Sequence, residues 1–182
     1  MILVIGEIAE EYRKADDGMY RRLFSGTGLE WAERLPDSYL LTVLASDNAA
    51  LDMSSYLSEK GIRHSSDLVS SMPSSVIAGQ DRHYRGTASL SLQSEDILER
   101  ISSLSADAVV VSSVLLSYNP SSSAIIDTLS FFVPQPKVAI DTSIVVEDGR
   151  NIFSKAVGEA RASFSSLLVS SDKAEIERFV RG

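Results

Sequence analysis

Three short stretches of this chain carry residue types that could do chemistry. The segment HYRGTASLSLQSEDI (83–97) places Tyr84 and Arg85 just before a glycine, where an extended stretch gives way to a helix start. An arginine offers a rigid fork of five donors, suited to hydroxyls or to an acidic group. The opening segment VIGEIAEEY (4–12) sets Glu7, Glu10 and Glu11 behind an apolar run. If that run is a strand of an open α/β sheet, these acids stand at its carboxyl end, where such sheets bind ligands. Solvated surface acids are the equal alternative. The third stretch, SGTG (25–28), precedes a helical pattern. It could offer backbone N–H groups to an anion or hydroxyl, or simply turn the chain. The two histidines, His64 and His83, have no carboxylate at a metal-ligand spacing, so they read as surface residues and no metal site is expected. DKAE (172–175) has the spacing of a helix-capping box. No G-x-S-x-G or P-loop pattern occurs, so no catalytic residue is assigned from motifs.

The elements that must position these residues follow from the apolar patterning. Five short runs, ILVI (2–5), LLTVL (40–44), AVVV (108–111), KVAI (137–140) and LLV (167–169), do not alternate with polar residues. That is the pattern of strands covered on both faces of a parallel sheet. Helical patterns lie between them, at 26–35 with Trp31, at 48–60 with Gly61 as C-cap, and at 95–104 with Ser94 as N-cap. Further ones run from Asn119–Pro120 to about 132, over 151–164, and from near Asp172 onward. The β-α alternation predicts an α/β fold with a three-layer, doubly wound, mostly parallel sheet. Residues 8–24 and 62–92 break the alternation and predict a small second sheet, with a hairpin turning at Gln80–Arg82.

With 182 residues, 44% of them apolar and 23% charged, the chain can build one domain with a real core. A net charge of −8 repels phosphate backbones and argues against nucleic acid as a partner. The absence of cysteine excludes disulfides and thiolate chemistry. No apolar run reaches the roughly 20 residues of a membrane span. The first residues read as a strand rather than a signal peptide, so a cytoplasmic protein without a membrane partner is expected.

The order of these features resembles the N-terminal part of a ribokinase-like (PfkB-type) carbohydrate kinase, fructokinases most of all. VIGEIAEEY looks like that family's first strand with its G-E and a following sugar-binding Asp, whose place is taken here by Glu11. SGTGLEWA looks like the G-G-x-x-x-N sugar-binding turn and helix; Gly26 matches the second glycine, Ser25 replaces the first and Glu30 replaces the Asn. LASDNAALDMSSYLSEKGI is similar to the V-G-D-D segment and its helix, and YRGTASLSLQSEDI to the Y-R-G-x-A segment leading from lid to core. AIDTSIV keeps the Asp of D-x-N-x-R as Asp141, with Ser143 and Val145 in place of Asn and Arg. SSDKAEIERF keeps the Glu of N-x-x-E as Glu175, with Asp172 in place of the Asn.

The resemblance implies one truncated carbohydrate-kinase-like domain over residues 1–182, with lid segments at approximately 8–24 and 62–92. It implies a small sugar or sugar acid bound near Glu11, Gly26, Glu30, Tyr84 and Arg85, and a homodimer formed through the lid. Complete family members use ATP and magnesium. Their G-A-G-D motif, which supplies the catalytic base and an anion-stabilising helix N-terminus, does not occur in these residues. No cofactor is therefore expected on the lone chain. Three readings stand: a sugar-binding or vestigial kinase-like protein, the N-terminal half of a split sugar kinase completed by another polypeptide, and a non-catalytic interaction protein.

Overall fold

The computed structural model describes residues 1–78, 81–83 and 87–182, with the backbone alone at 78 and 81–83. The chain opens with β1 (Ile2–Ile5), then a hairpin of β2 (Ala9–Lys14) and β3 (Tyr20–Ser25), then α1 (Thr27–Arg34) and β4 (Tyr39–Leu41). There follow β5 (Leu44–Ala45), α2 (Asn48–Glu59), β6 (Val69–Ser70), β7 (Ser75–Ala78), β8 (Asp81–His83) and a 3₁₀ turn at Ala88–Ser91. The rest alternates: α3 (Ser94–Leu104), β9 (Ala108–Ser112), a short α4 (Ser113–Leu116), α5 (Ser121–Phe131), β10 (Lys137–Asp141), α6 (Arg150–Ser163), β11 (Leu167–Ser170) and α7 (Lys173–Arg181).

Five strands form a parallel sheet in the order β11-β10-β9-β1-β4. Its central strands are apolar without alternation because both faces are covered: Leu3, Ile5, Val109, Val138 and Ile140 meet α3, α5 and α6, while Val4, Val110 and Ala139 meet α1, α2 and α7. Each fully buried Leu, Ile or Val contributes about 1.5–3 kcal/mol from apolar burial. From β1 the chain steps outward to β4, then returns to β9 on the other flank of β1. The switch point of the sheet therefore lies between the carboxyl ends of β1 and β9.

A second sheet, β3-β2-β7-β8, forms the lid. β2 pairs antiparallel with β3 and parallel with β7, and β7 pairs antiparallel with β8. Ala9 of β2 and Ile77 of β7 are buried in the body's core, and two further features tie the lid to the body. The Arg22 guanidinium on β3 joins Glu10 of β2 to Asp52 of α2, the latter at 2.5 Å, and the Phe24 ring packs on Tyr56 of α2 at 5.2 Å. The Asp47 carboxylate accepts from Ala50 N at 2.9 Å, capping α2, and from Ser74 N at 3.0 Å and the Ser74 hydroxyl at 2.7 Å, which fixes the arm leading into β7.

The structure corrects several expectations. The apolar run at 40–44 is not one strand. Thr42 N donates to the Ser65 hydroxyl at 3.0 Å and Ser65 donates back to the Thr42 carbonyl, so a returning segment takes up that backbone and β4 ends at Leu41. β5 pairs instead with β6. The lid is smaller than 62–92 suggests: Leu40 N bonds Arg63 O, which lays the start of that stretch along β4, and Ala88 and Leu90 are buried in the body. Ala78 pairs with Asp81, so Arg82 lies in the return strand rather than in the turn. The N-cap of α3 is Gln93, whose backbone N–H donates to Asp96 at 3.0 Å, not Ser94. α5 starts one residue late, with Pro120 at N-cap. At α7, Asp172 caps Ala174 N and Glu175 N, but Glu175 accepts from the Ser170 hydroxyl, so only half of a capping box forms.

Asp47 yields the first prediction. Burial pushes its carboxyl up, but the hydrogen bonds from Ser74 and from α2 outweigh this and hold it below the usual aspartate range. A depressed carboxyl contributes stability that is present above the unfolded pKa and is lost as pH falls through the folded one. Asp47→Ala should cost about 1–3 kcal/mol at neutral pH, judged from a lost N-cap and orphaned donors. Asp47→Asn should flatten the acid limb of a urea-stability profile. Superimposable profiles for wild type and both variants would show that the clasp holds nothing.

Candidate functional site

At the carboxyl end of β1 the backbones of β1 and α1 come into direct contact. A Cβ on Gly6 would stand 2.4 Å from Gly28 Cα, and one on Gly26 would stand 2.5 Å from the Glu7 carbonyl. Gly26 has φ +124, so glycine is needed there for its backbone as well as for space. This packing sets the N-terminus of α1 against the switch point. Thr27 N donates to Glu7 Oε1 at 2.8 Å and Leu29 N to the Glu7 carbonyl at 3.3 Å. The SGTG turn thus does offer an N–H group to an acceptor, and the acceptor is the chain's own Glu7 carboxyl.

Glu7 is fully buried, and Oε2 finds no partner among the described residues. Burial drives its carboxyl above the ordinary glutamate range; the Ser112 hydroxyl and the Thr27 N–H pull the other way without winning. One turn along α1, Trp31 Nε1 donates to Asp141 Oδ2 at 2.6 Å, and Ser143 N donates to Oδ1 at 2.8 Å. Asp141 is wholly buried, so it locks α1 to the end of β10 rather than facing a ligand.

Between the lid and α1 lies a cleft of about 430 Å³. Two of the expected sugar-site residues, Glu11 and Glu30, line it together, with Ser25 between them and Gly26 forming the turn behind. Glu11 is mostly buried and accepts from Arg13 at 2.8 and 3.1 Å. Glu30 is 47% exposed in its side chain and pairs with Lys173 of α7. It therefore leans toward the outer rim, which a match to an inward amide would not suggest. The Ser25 hydroxyl is buried without a hydrogen-bond partner among the described residues. Tyr84 and Arg85 lie outside the described residues.

Arg22 and Tyr56 also line the cleft, and sequence reasoning did not find them. In YRRLFS, alternation along β3 puts Arg22 and Phe24 on one face, a signal that was available. Tyr56, which donates to Glu33 at 3.1 Å, had none, because its role depends on the lid lying against α2. The cleft offers carboxylates, an arginine and a hydroxyl, a set suited to hydroxyl groups. Among the described residues no group of three His, Asp or Glu side chains is placed to hold a metal ion, and no phosphoryl-transfer step is assigned to them. No helix of the described residues is long and apolar enough to cross a membrane.

A mostly parallel sheet with helices on both faces and a small β lid at its carboxyl edge defines a ribokinase-like fold. Solved structures confirm that class. The chain is similar to an uncharacterized sugar kinase from Pyrococcus horikoshii, with a TM-score of 0.67 at 18% identity over 90% of this chain and 62% of that one. It is similar to 2-dehydro-3-deoxygluconokinase from Thermotoga maritima, with a TM-score of 0.70 at 15% identity over 92% and 59%. It is also similar to fructokinase from Xylella fastidiosa, with a TM-score of 0.64 at 12% identity over 100% and 67%. The chain thus has the fold of PfkB-type carbohydrate kinases and spans about 60% of the length of the first of these. By sequence, no family model and no curated protein matches it.

The buried Glu7 gives a signed pH prediction. A carboxyl whose folded pKa is raised binds more protons when folded than when unfolded, so stability falls as pH rises above the unfolded value. Glu7→Gln removes that dependence. Its stability should match or exceed wild type at neutral pH and be flatter between acid and neutral pH. A glutamine variant with an unchanged pH slope would show that Glu7 is ionised where it sits.

Proposed function

We propose that this chain is the sugar-recognition part of a PfkB-type carbohydrate kinase-like protein, which holds a small polyol between lid and α1 and does not itself transfer phosphate. The observation that carries the reading is the convergence of Glu11, Ser25 and Glu30 on one cleft beneath the lid, with Gly26 turning the chain behind them, within the motifs that the family likeness assigned to sugar contacts. Similar solved structures are called sugar kinase, fructokinase and 2-dehydro-3-deoxygluconokinase, which supports the substrate class. Affinity should be weak, with Kd near 1 mM, because Arg13 and Lys173 already occupy the two carboxylates. A second reading, that another polypeptide segment completes a phosphoryl-transfer site, is favoured by the edge of β11, which pairs only with β10 among the described residues.

Titration with hexoses, pentoses and sugar acids, read as thermal shift, tests the first reading. A sugar should raise the melting temperature of wild type, and Glu11→Ala, Glu30→Ala and Arg85→Ala should each reduce the shift. A shift unchanged in all three variants would put the ligand elsewhere. With ATP and magnesium added, the purified chain should form no phosphosugar above blank; product that disappears in Glu11→Ala would overturn the non-catalytic part.

The same reading includes a homodimer through the lid. The lid carries Met19 and Tyr20, each about two-thirds exposed, with Leu23, Tyr12 and Val76 also exposed, and small sheets of this size gain stability from pairing. Light scattering over a dilution series should give twice the chain mass, and Tyr20→Asp should return it to monomer. A monomer mass for wild type at all concentrations would remove the dimer from the proposal.

A further inference from the structure

On the face of the sheet opposite α2, helices α3 and α5 leave a groove of about 490 Å³ between the first turns of one and the last turn of the other. Its walls are apolar: Leu98 is 51% exposed, Phe131 83% and Val133 88%. An aromatic ring and two aliphatic side chains held this far out of the core add nothing to folding, and clustered apolar exposure of this kind marks interaction surfaces. Spacing along the helices makes the walls continuous. Ser94 and Leu98 share a face of α3, and Asp127 and Phe131 share a face of α5.

The rim carries Glu95 and Asp127, and no cation among the described residues is paired with either. Other acids of the body are paired, as at Arg100–Asp67, Arg34–Glu177 and Lys173–Glu30, while these two stand together beside exposed apolar side chains. Two uncompensated carboxylates beside an apolar trough select an occupant with apolar anchors flanked by positive charge. A second copy of the chain is the wrong occupant. An isologous contact would set Glu95 and Asp127 against the same acids of the other copy, with no cation among the groove residues to offset them. A trough between two helices, with no strand edge in it, fits the helix-in-groove mode, in which side chains at i, i+3 and i+4 enter.

We propose that the groove between α3 and α5 is a docking surface for a basic, amphipathic helical segment of a partner protein. Phe131 and Leu98 are its apolar anchors, and Glu95 and Asp127 fix the orientation of the bound helix. The surface is independent of the sugar cleft, which lies across the sheet against α1 and α2.

The test uses the full chain and a labelled synthetic helix with Leu and Phe at i, i+3 and i+4 positions and Lys elsewhere, followed by fluorescence anisotropy at about 0.15 M salt. Wild type should bind it, and a peptide with the same anchors and Glu in place of Lys should not bind. Phe131→Ala and Asp127→Lys should each weaken binding about tenfold or more. Both residues are exposed, and thermal melts matching wild type confirm that the fold is kept. Glu59→Lys, an equal charge change on exposed α2, should leave binding unaltered. Absence of wild-type binding, an unaffected Phe131→Ala, or equal losses in Glu59→Lys and Asp127→Lys would each overturn the proposal. A wild-type dimer that Phe131→Ala dissociates would do the same, by assigning the groove to self-association.

Discussion

A Cβ on Gly28 would stand 2.5 Å from the carbonyl carbon of Gly6, so β1 and α1 meet backbone to backbone with no side chain between them. The position of the helix follows from that contact. With α1 pressed onto the switch point, its first N–H groups reach Glu7, and its third residue after Gly28 brings Trp31 to Asp141 at the end of β10. The ends of two strands, β1 and β10, are thereby registered by one helix. Burying a carboxyl costs several kcal/mol if it stays ionised, and much less if it keeps its proton. The raised pKa of Glu7 is the form that cost takes here. It is tolerated because Thr27 N would otherwise be an orphan donor at the start of a buried helix.

The lid is held by weaker means. An aromatic pair adds about 0.5–1.5 kcal/mol beyond its buried area, and an exposed ion pair such as Arg22–Asp52 adds about 0–1 kcal/mol. The Asp47 clasp matters more, because one carboxylate satisfies three donors on two elements. The root of the lid joins the body's core through Ala9 and Ile77, but its outer part hangs on contacts worth a few kcal/mol, against a body whose core runs through both faces of the main sheet. Local opening of such an element costs far less than global unfolding. The cleft, whose one wall is the lid, inherits that softness.

What could be read from the sequence divides along the range of the interaction. The parallel strands were legible because burial on both faces writes itself into four or five consecutive residues. The run at 40–44 misled because Ser65, which ends β4 by bonding Thr42, lies 23 positions away. SGTG was legible as a turn that could offer N–H groups, but not that the Glu7 carboxyl, 20 positions earlier, would accept from it. Glu30 lines the same cleft as Glu11, while its outward lean is set by Lys173, 143 positions on. At the end of α5 two adjacent phenylalanines part ways, Phe132 half-buried against the core and Phe131 exposed, a division set by tertiary packing rather than by the local sequence.

The charges of the cleft bear on what it can accept. Glu11 is matched by Arg13, Glu30 by Lys173, Arg22 by Glu10 and Asp52, and Glu33 by the Tyr56 hydroxyl. A charged ligand entering such a site must break a pair whose partner is then left behind, partly desolvated, at a cost of about 1–3 kcal/mol. A neutral polyol need not. Each hydroxyl can donate to a carboxylate lone pair that the arginine or lysine leaves open, and accept from a guanidinium N–H that points away from its acid. The unpartnered Ser25 hydroxyl adds one further donor and acceptor at the base of the cleft. Within the described residues the electrostatics therefore favour a neutral polyol over an anionic ligand. A preference for acids would have to come from positive charge added by the segment around Arg85.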